Sequence, residues 1–307
     1  MSRSPFHDSR LTEQRNPASE GVDRFSPLEI VDLINAEDHK IAPAVRRERE
    51  NIARALELAE DAFRRGGRLV YVGAGTSGRL GVLDASEMPP TYGTDPSMVQ
   101  GIIAGGEIAL TRAVEGAEDH PEDGAAAVDA LEVGPPDFVF GIAASGTTPY
   151  VHGALRRAKE RGARTGFLLC TEPSPEMKEA YDVVIAPLAG PEVVTGSTRM
   201  KAGTATKLVL NTITTGAMIR LGKVFGNLMV DLRVTNLKLQ GRSERILMET
   251  LDLDRDEARD LLARAGGSVK TAMVMHWTGG DREEAQQRLQ RAGGRLGDIL
   301  RKDTPNG

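Results

Sequence analysis

The sequence predicts an α/β fold: a five-stranded parallel sheet flanked by helices, followed by a small C-terminal helical domain. Short apolar runs alternate with helical stretches, two of those runs end in loops rich in small and hydroxyl residues, and charged helical segments follow Gly226. Alternating strands and helices favour a parallel sheet with its working loops at the carboxyl ends of the strands. We divide the chain into an N-terminal arm and helix (1–50), a sheet domain (51–225) and a helical region (226–307).

The N-terminal part has the composition of a tail up to about Phe25. Ser26 has the position of an N-cap for a helix over 26–35, because a proline follows it and apolar residues then recur at helical spacing. A longer amphipathic helix is predicted over 42–65, and Gly66-Gly67 ends it.

Five apolar runs rich in β-branched and aromatic residues predict the strands. They span residues 69–72, 98–104, 138–143, 165–170 and 183–187. A helical stretch that ends in residues 114–120 is predicted after the second strand, and helices are predicted over 150–161 and 175–180, between the later strands. A long helical segment then covers 197–221, and pairs of glycines divide residues 254–300 into short helices.

The loop after the first strand has a composition that suits anion binding. Gly73 and Gly75 let a ligand approach the backbone, and Thr76 and Ser77 offer hydroxyls where the next helix begins. We interpret this loop as a phosphate site. Met88-Pro-Pro90 is expected to stop the helix, because proline cannot donate its helical hydrogen bond.

The loop after the third strand repeats the pattern with Ser145, Gly146, Thr147 and Thr148. One such loop is a weak signal, whereas two after parallel strands could hold one phosphate from both sides. A dinucleotide-binding fold is the competing interpretation. It requires an acidic residue at the end of the second strand, where this chain has Ala-Gly-Gly, so we predict no nicotinamide cofactor.

Two groups of carboxylates follow the first two strands: Glu87 on the first helix, then Glu115, Glu118 and Asp119. Either group alone is typical of a solvated surface. Strand ends that open on one crevice also allow two carboxylates to act as acid and base. The five histidines have no ligand spacing, so no metal site is predicted, and His152 is expected on a helix surface.

Charge and cysteine content limit the classes of partner. A net charge of -5 over 307 residues argues against nucleic acid and anionic membranes, so a small molecule is the expected partner. The single cysteine, Cys170, cannot form an intramolecular disulfide, which fits a reducing cytoplasm. No apolar run approaches the roughly 18 to 20 residues that a membrane span needs.

Two hydroxyl loops on a five-stranded parallel sheet resemble the sugar isomerase (SIS) domain, which binds phosphorylated sugars. A closer resemblance, from about Leu11 to the C-terminal helices, is to the N-acetylmuramic acid 6-phosphate etherase family. The strings that carry it are LVYVGAGTSGRLGVLDASEMPPTYG, AGGEIALTRAVEGAEDH, GIAASGTTPYV, GPEVVTGSTRMKAGTATKLVLN and GKVFGNLMVDL. The glucokinase regulatory protein shares these strings, but resembles two such domains in tandem.

The resemblance implies an enzyme that removes D-lactate from C3 of the phosphosugar by elimination and hydration, without a cofactor. It places the catalytic pair on Glu87 and Glu118; we assign Glu87 as the acid and Glu118 as the base, an order that the sequence leaves open. The substrate-binding residues that it implies are Gly75, Thr76, Ser77, Ser145, Gly146, Thr147, Thr148, Glu192, Ser197 and Lys201.

The resemblance also implies a homodimer with the active site near the subunit interface, so that Lys201 or the N-terminal arm could come from the partner subunit. Thr147 departs from the family, which often has arginine there. Two alternatives stay open. A phosphosugar isomerase would use the same loops with a single base and release no lactate. A non-catalytic sugar-phosphate sensor would not need both Glu87 and Glu118.

Overall fold

The computed structural model describes residues 8–231 and 237–303, which divide into two compact units. The first contains residues 8–86 and 97–214, and the second contains 87–96, 215–231 and 237–303. This division reflects spatial contact alone. The boundaries proposed above at residues 50 and 225 stay predictions.

A five-stranded parallel sheet forms the centre of the first unit, which confirms the predicted fold class. Its strands are β1 (Leu69–Gly73), β2 (Val99–Ile103), β3 (Phe138–Ile142), β4 (Arg164–Leu168) and β5 (Val183–Ile185). They lie in the order β2-β1-β3-β4-β5. Gly73 is in register with Ile103 on one side and Ile142 on the other, so the carboxyl ends of β1, β2 and β3 are level.

Eight α-helices accompany the sheet strands in the described chain, of which two continue into the second unit. They are α1 (Pro27–Asp38), α2 (Ile41–Arg47), α3 (Arg49–Arg64), α4 (Gly75–Tyr92), α5 (Pro121–Ala130), α6 (Pro149–Glu160), α7 (Pro175–Ala180) and α8 (Lys201–Arg220). Ser26 caps α1 as predicted, in a reciprocal capping box with Glu29.

The second unit has a short hairpin and five further helices. These are β6 (Val224–Phe225), β7 (Leu228–Met229), α9 (Leu237–Leu251), α10 (Arg255–Arg264), α11 (Val269–Thr278), α12 (Arg282–Arg291) and α13 (Leu296–Asp303). The predicted division of residues 254–300 by glycine pairs is confirmed. The core packs around α11, where Val269, Met273 and Val274 are fully buried.

Three helix predictions were wrong in detail. The helix predicted over 42–65 is two helices, α2 and α3, that meet at Glu48. Helix α4 continues through Pro89 and Pro90 to Tyr92, although each proline lacks the amide donor of a helical hydrogen bond. The Pro89 carbonyl still accepts a 3.0 Å hydrogen bond from the Gly93 amide. Residues 197–200 form turns before α8 rather than its first turn.

Residues 11–24 form ordered turns, although their composition is that of a tail. Three short 3₁₀ turns run along this segment, and Thr12 and Asn16 are buried. The Asn16 side chain donates a 3.1 Å hydrogen bond to the carbonyl of Pro191, more than 170 residues away. The contacts that order this segment are therefore polar and distant in sequence, which local patterns cannot reveal.

Helices α5 and α6 pack with their backbones in close contact. A Cβ atom at Gly124 would lie 2.0 Å from the Tyr150 carbonyl oxygen, and one at Gly153 would lie 1.9 Å from the Pro121 carbonyl oxygen. No side chain fits at these distances, and both neighbours are backbone atoms that cannot rotate away. Glycine is required on both helices for this approach, which fixes α6 beneath the loop that precedes it.

A buried ion pair joins the N-terminal helices to the start of α8. The Lys201 ammonium group lies 2.5 Å from the Glu37 carboxylate and also donates to the carbonyl of Ala189 at 3.1 Å. Lys40 bonds the other oxygen of Glu37. Burial by itself raises the pKa of Glu37, but hydrogen bonds from Lys201, Lys40 and Asn16 outweigh it and lower the pKa to about 2.

Replacing Gly153 with alanine is expected to destabilise the protein by about 2 kcal/mol or more, because the methyl group overlaps a backbone oxygen. Thermal and denaturant unfolding measure the change. Gly241→Ala on α9 is the matched control, since nothing lies within 4 Å of the added Cβ there, and it should be neutral or slightly stabilising. Equal stabilities of the two variants would contradict the close packing.

The Glu37 pair should make stability depend on pH in acid. Its pKa is about 2 in the folded protein and 4.5 ordinarily, so this contribution, on the order of 3 kcal/mol, is complete above about pH 4.5 and is lost as the pH falls towards 2. Glu37→Gln should reduce the steepness of that loss and lower stability at neutral pH, where Lys201 loses its counter-ion. Glu50→Gln, at an exposed site, is the control; identical slopes in all three proteins would exclude the pair as the cause.

Candidate functional site

The loop between β1 and α4 brings backbone amides to the edge of the sheet. Helix α4 begins at Gly75, directly after the strand, and Thr76 and Ser77 lie half-buried in its first turn. A Cβ at Gly73 would lie 2.6 Å from the Gly78 amide nitrogen, so the strand end and the helix are almost in contact. The free amides of this first turn and the helix dipole favour an anion here.

The second hydroxyl loop lies beside the first, because it follows β3, the neighbour of β1. The Ser145 and Thr147 hydroxyls are 3.0 Å apart, and Gly146 between them adopts a φ of +76° that favours glycine. Thr148 then occupies the N-cap position of α6, with a side chain that makes no cap hydrogen bond. The structure therefore brings together residues 75–77 and 145–148, at two adjacent helix N-termini.

His152 was expected on a helix surface, but it is partly covered and supports the second hydroxyl loop. Its ring is half-buried, and Nε2 lies 2.8 Å from the carbonyl oxygen of Gly146. Because a carbonyl can only accept, Nε2 carries the proton in the neutral ring, and Nδ1 accepts from the Tyr181 hydroxyl at 2.9 Å. No local pattern signals this contact, which depends on α6 passing under its own preceding loop.

Glu118 lines a cleft that also includes the first loop. The cleft, of about 170 Å³, is bordered by Gly75, Arg79, Glu115 and Glu118. Glu118 is exposed on a 3₁₀ turn (Ala117–Asp119), rather than on the predicted helix. Arg79 on α4 holds the segment between β2 and the turn that carries Glu118. It donates hydrogen bonds to the carbonyls of Leu110 at 3.1 Å and Arg112 at 3.3 Å.

Helix α4 carries one buried carboxylate, Asp84, and one exposed carboxylate, Glu87. Asp84 is buried and accepts hydrogen bonds from the Tyr71 hydroxyl at 2.9 Å and from the Asn211 amide at 2.7 Å. Burial raises its pKa, although these hydrogen bonds oppose the shift. Glu87 is exposed and belongs to the second unit. Asp84 is thus a structural residue, and the catalytic role of Glu87 stays a prediction.

The residues before and at the start of α8 are engaged within the protein. The buried Glu192 carboxylate accepts from the amides of Lys201 at 3.0 Å and Ala202 at 2.9 Å, so it already occupies the anion position at the N-terminus of α8. Lys201 is paired with Glu37 in the same chain. Ser197 is half-buried in a turn. Contact of these three residues with substrate stays a prediction.

The N-terminal arm contributes a cation that sequence reasoning missed. Arg10 donates from Nη1 to the Thr147 hydroxyl at 2.8 Å, and the Leu11 amide donates to the Thr171 hydroxyl at 3.0 Å. The arm therefore crosses the loops that follow β3 and β4. The arm residues also precede the region in which the sequence shows regular patterning, so no local signal marked Arg10.

The described residues show neither a metal cluster nor a membrane span. Across 8–231 and 237–303, no group of three or more His, Cys, Asp or Glu side chains is placed to hold a metal ion. Over the same ranges, none of the helices combines the length and the apolar content that crossing a bilayer requires.

Comparison with known proteins gives close relatives over most of the chain. A protein from Synechococcus elongatus named N-acetylmuramic acid 6-phosphate etherase is 56% identical over 88% of this chain and 87% of its own. Proteins with the same name from Rippkaea orientalis and Rhodopirellula baltica are each 54% identical, over 88% and 86% of this chain and over 88% and 87% of their own lengths.

A family model described as the glucokinase regulatory protein N-terminal SIS domain matches residues 51–159, which contain β1 to β3 and both hydroxyl loops. Three of the five strings that suggested the resemblance lie in the same region, and the other two follow it. With this match and more than half of the residues identical to several relatives, the chain belongs to the N-acetylmuramic acid 6-phosphate etherase family, and it is an enzyme.

Proposed function

We propose that this enzyme cleaves the D-lactyl ether of N-acetylmuramic acid 6-phosphate, giving N-acetylglucosamine 6-phosphate and D-lactate, with water as the second substrate. The observation that carries the proposal is the 56% identity over nearly the whole length of a relative named for this activity. We also propose that it works in the cytoplasm as a homodimer, in the recycling of cell-wall amino sugars; these points rest on the family resemblance.

The phosphate of the substrate would bind at the two adjacent loops. A phosphate monoester carries about 1.5 to 2 negative charges at neutral pH and has three strong acceptor oxygens. The first-turn amides of α4 and the Ser145, Thr147 and Thr148 hydroxyls supply donors of matching chemistry. We assign Gly75, Thr76 and Ser77 to the same phosphate group.

The elimination step needs a base at C2 and an acid at the ether oxygen on C3. In the ring-opened sugar the C2 proton is acidic because it adjoins the C1 aldehyde, and the Glu118 carboxylate removes it. The electron pair left at C2 forms the C2–C3 double bond as the C3–O bond breaks. The Glu87 carboxyl group donates its proton to the departing oxygen, and D-lactate leaves.

The hydration step then returns Glu87 and Glu118 to their starting protonation states. Glu87, now ionised, takes a proton from water as its oxygen adds to C3 of the unsaturated aldehyde. Glu118, now protonated, returns a proton to C2. The product is N-acetylglucosamine 6-phosphate, and each carboxyl group ends in the protonation state in which it began. The two steps transfer only protons and water, so the proposed mechanism requires no cofactor.

Glu87→Gln and Glu118→Gln should each lower lactate release by about 10²- to 10⁴-fold, because each removes one proton transfer while keeping the shape of the side chain. Asp119→Asn, which removes the same charge one residue from Glu118, is the control and should retain activity. Wild-type turnover in either glutamine variant would remove that residue from the mechanism.

The same variants decide which residue is the base. The base alone exchanges the C2 proton of N-acetylglucosamine 6-phosphate with solvent, so in D₂O the Glu87→Gln variant should still exchange this proton, as followed by NMR. Glu118→Gln should lose the exchange. The opposite result would reverse the two assignments.

Solvent isotopes test the reaction itself in the wild-type enzyme. Elimination and hydration should place deuterium from D₂O at C2, and ¹⁸O from H₂¹⁸O at C3 of the sugar, leaving the lactate unlabelled. Label at C3 without deuterium would indicate direct displacement, and ¹⁸O in lactate would indicate cleavage on the lactyl side. Conversion of the sugar phosphate without release of lactate would favour an isomerase instead.

A further inference from the structure

The second hydroxyl loop lacks a cation of its own. Its residues 144–149, ASGTTP, offer hydroxyl and amide donors but no charged side chain. Neutral donors satisfy the geometry of a phosphate without balancing its charge, whereas hydrogen bonds from a charged donor are about twice as strong as neutral ones. A phosphate site here therefore gains from a cation supplied by another part of the chain.

Arg10 places a guanidinium group at this loop. Its Nη1 atom is 2.8 Å from the Thr147 hydroxyl, which is itself 3.0 Å from the Ser145 hydroxyl. The opposite edge of the guanidinium is held by Asp8, with Nε 2.9 Å from each carboxylate oxygen. Asp8 thus orients the planar group and leaves Nη1 directed at the hydroxyl pair.

The arm is anchored directly after Arg10 at two points. Leu11 is bonded to Thr171 after β4, and Asn16 is bonded to the carbonyl of Pro191 after β5. The Arg10 side chain is about one-third exposed, so it is reachable by solvent and by a ligand. Because neighbouring backbone is anchored, little additional order is required of the arm when an anion arrives.

We propose that Arg10 is a substrate-binding residue that recognises the phosphate group of the phosphosugar. The inference rests on the proposed function and extends the phosphate site to the N-terminal arm. A phosphate that binds the Ser145 and Thr147 hydroxyls lies within reach of Nη1. The Arg10 guanidinium then donates to a charged phosphate oxygen instead of the neutral Thr147 hydroxyl. Arg10 thereby favours phosphorylated over unphosphorylated sugars and the dianion over the monoanion.

The test compares Arg10→Gln and Arg10→Lys with Arg15→Gln, which removes the same charge from an exposed position five residues along the arm. Calorimetry measures binding of N-acetylglucosamine 6-phosphate, and inhibition of lactate release measures binding of inorganic phosphate. Arg10→Gln should weaken both by about 10- to 100-fold, with kcat changed far less than KM. Arg10→Lys should recover part of the loss, and Arg15→Gln should resemble the wild type.

A pH series separates phosphate recognition from a purely structural role. Binding to the wild type should tighten as the second phosphate proton leaves near pH 6, and this dependence should flatten in Arg10→Gln. Phosphate affinity in Arg10→Gln equal to that in Arg15→Gln, or equal losses in the glutamine and lysine variants, would overturn the proposal. A wild-type enzyme that released no lactate would instead refute the proposed function, and the calorimetric comparison would still decide the role of Arg10.

Discussion

The buried carboxylate of Asp84 joins the three elements on which the site depends. It accepts hydrogen bonds from Tyr71 on β1 and from Asn211 and Thr214 on α8, while it lies on α4 itself. A buried carboxylate is costly unless it is fully hydrogen-bonded, so any displacement of one element leaves an uncompensated group. This constraint fixes where α4 lies on the sheet, and therefore where its first-turn amides meet the end of β1.

Close backbone contact provides the second level of support. Gly73 allows α4 to begin almost against its strand, and Gly124 and Gly153 allow α5 and α6 to approach until side chains would overlap carbonyl oxygens. Helices held in this way place their N-termini rigidly at the sheet edge. A site built from amides and hydroxyls needs such rigidity, because its donors bind an anion well only when they are already in position.

The N-terminal segment shows how polar contacts can build a site from distant parts of a chain. Arg10 reaches Thr147, Asn16 reaches the backbone near β5, and Glu37 pairs with Lys201. None of these bonds is local. Those of Asn16 and Glu37 are made at partly buried or buried positions, where a hydrogen bond counts for more than on the surface, whereas the Arg10 bond is exposed. The segment thereby becomes part of the sheet unit rather than an appendage to it.

The sequence by itself determined the strands, the two hydroxyl loops and the family, because strand periodicity, glycine and helix-capping residues act locally and the motif strings are long. It did not predict that α4 continues past Pro89, that His152 hydrogen-bonds to the second hydroxyl loop, or that Lys201 forms a buried ion pair with Glu37. Those outcomes belong to the tertiary structure, since each depends on which distant group arrives to supply or accept a hydrogen bond. Local patterns record the propensity of a segment, whereas only the folded chain decides its partners.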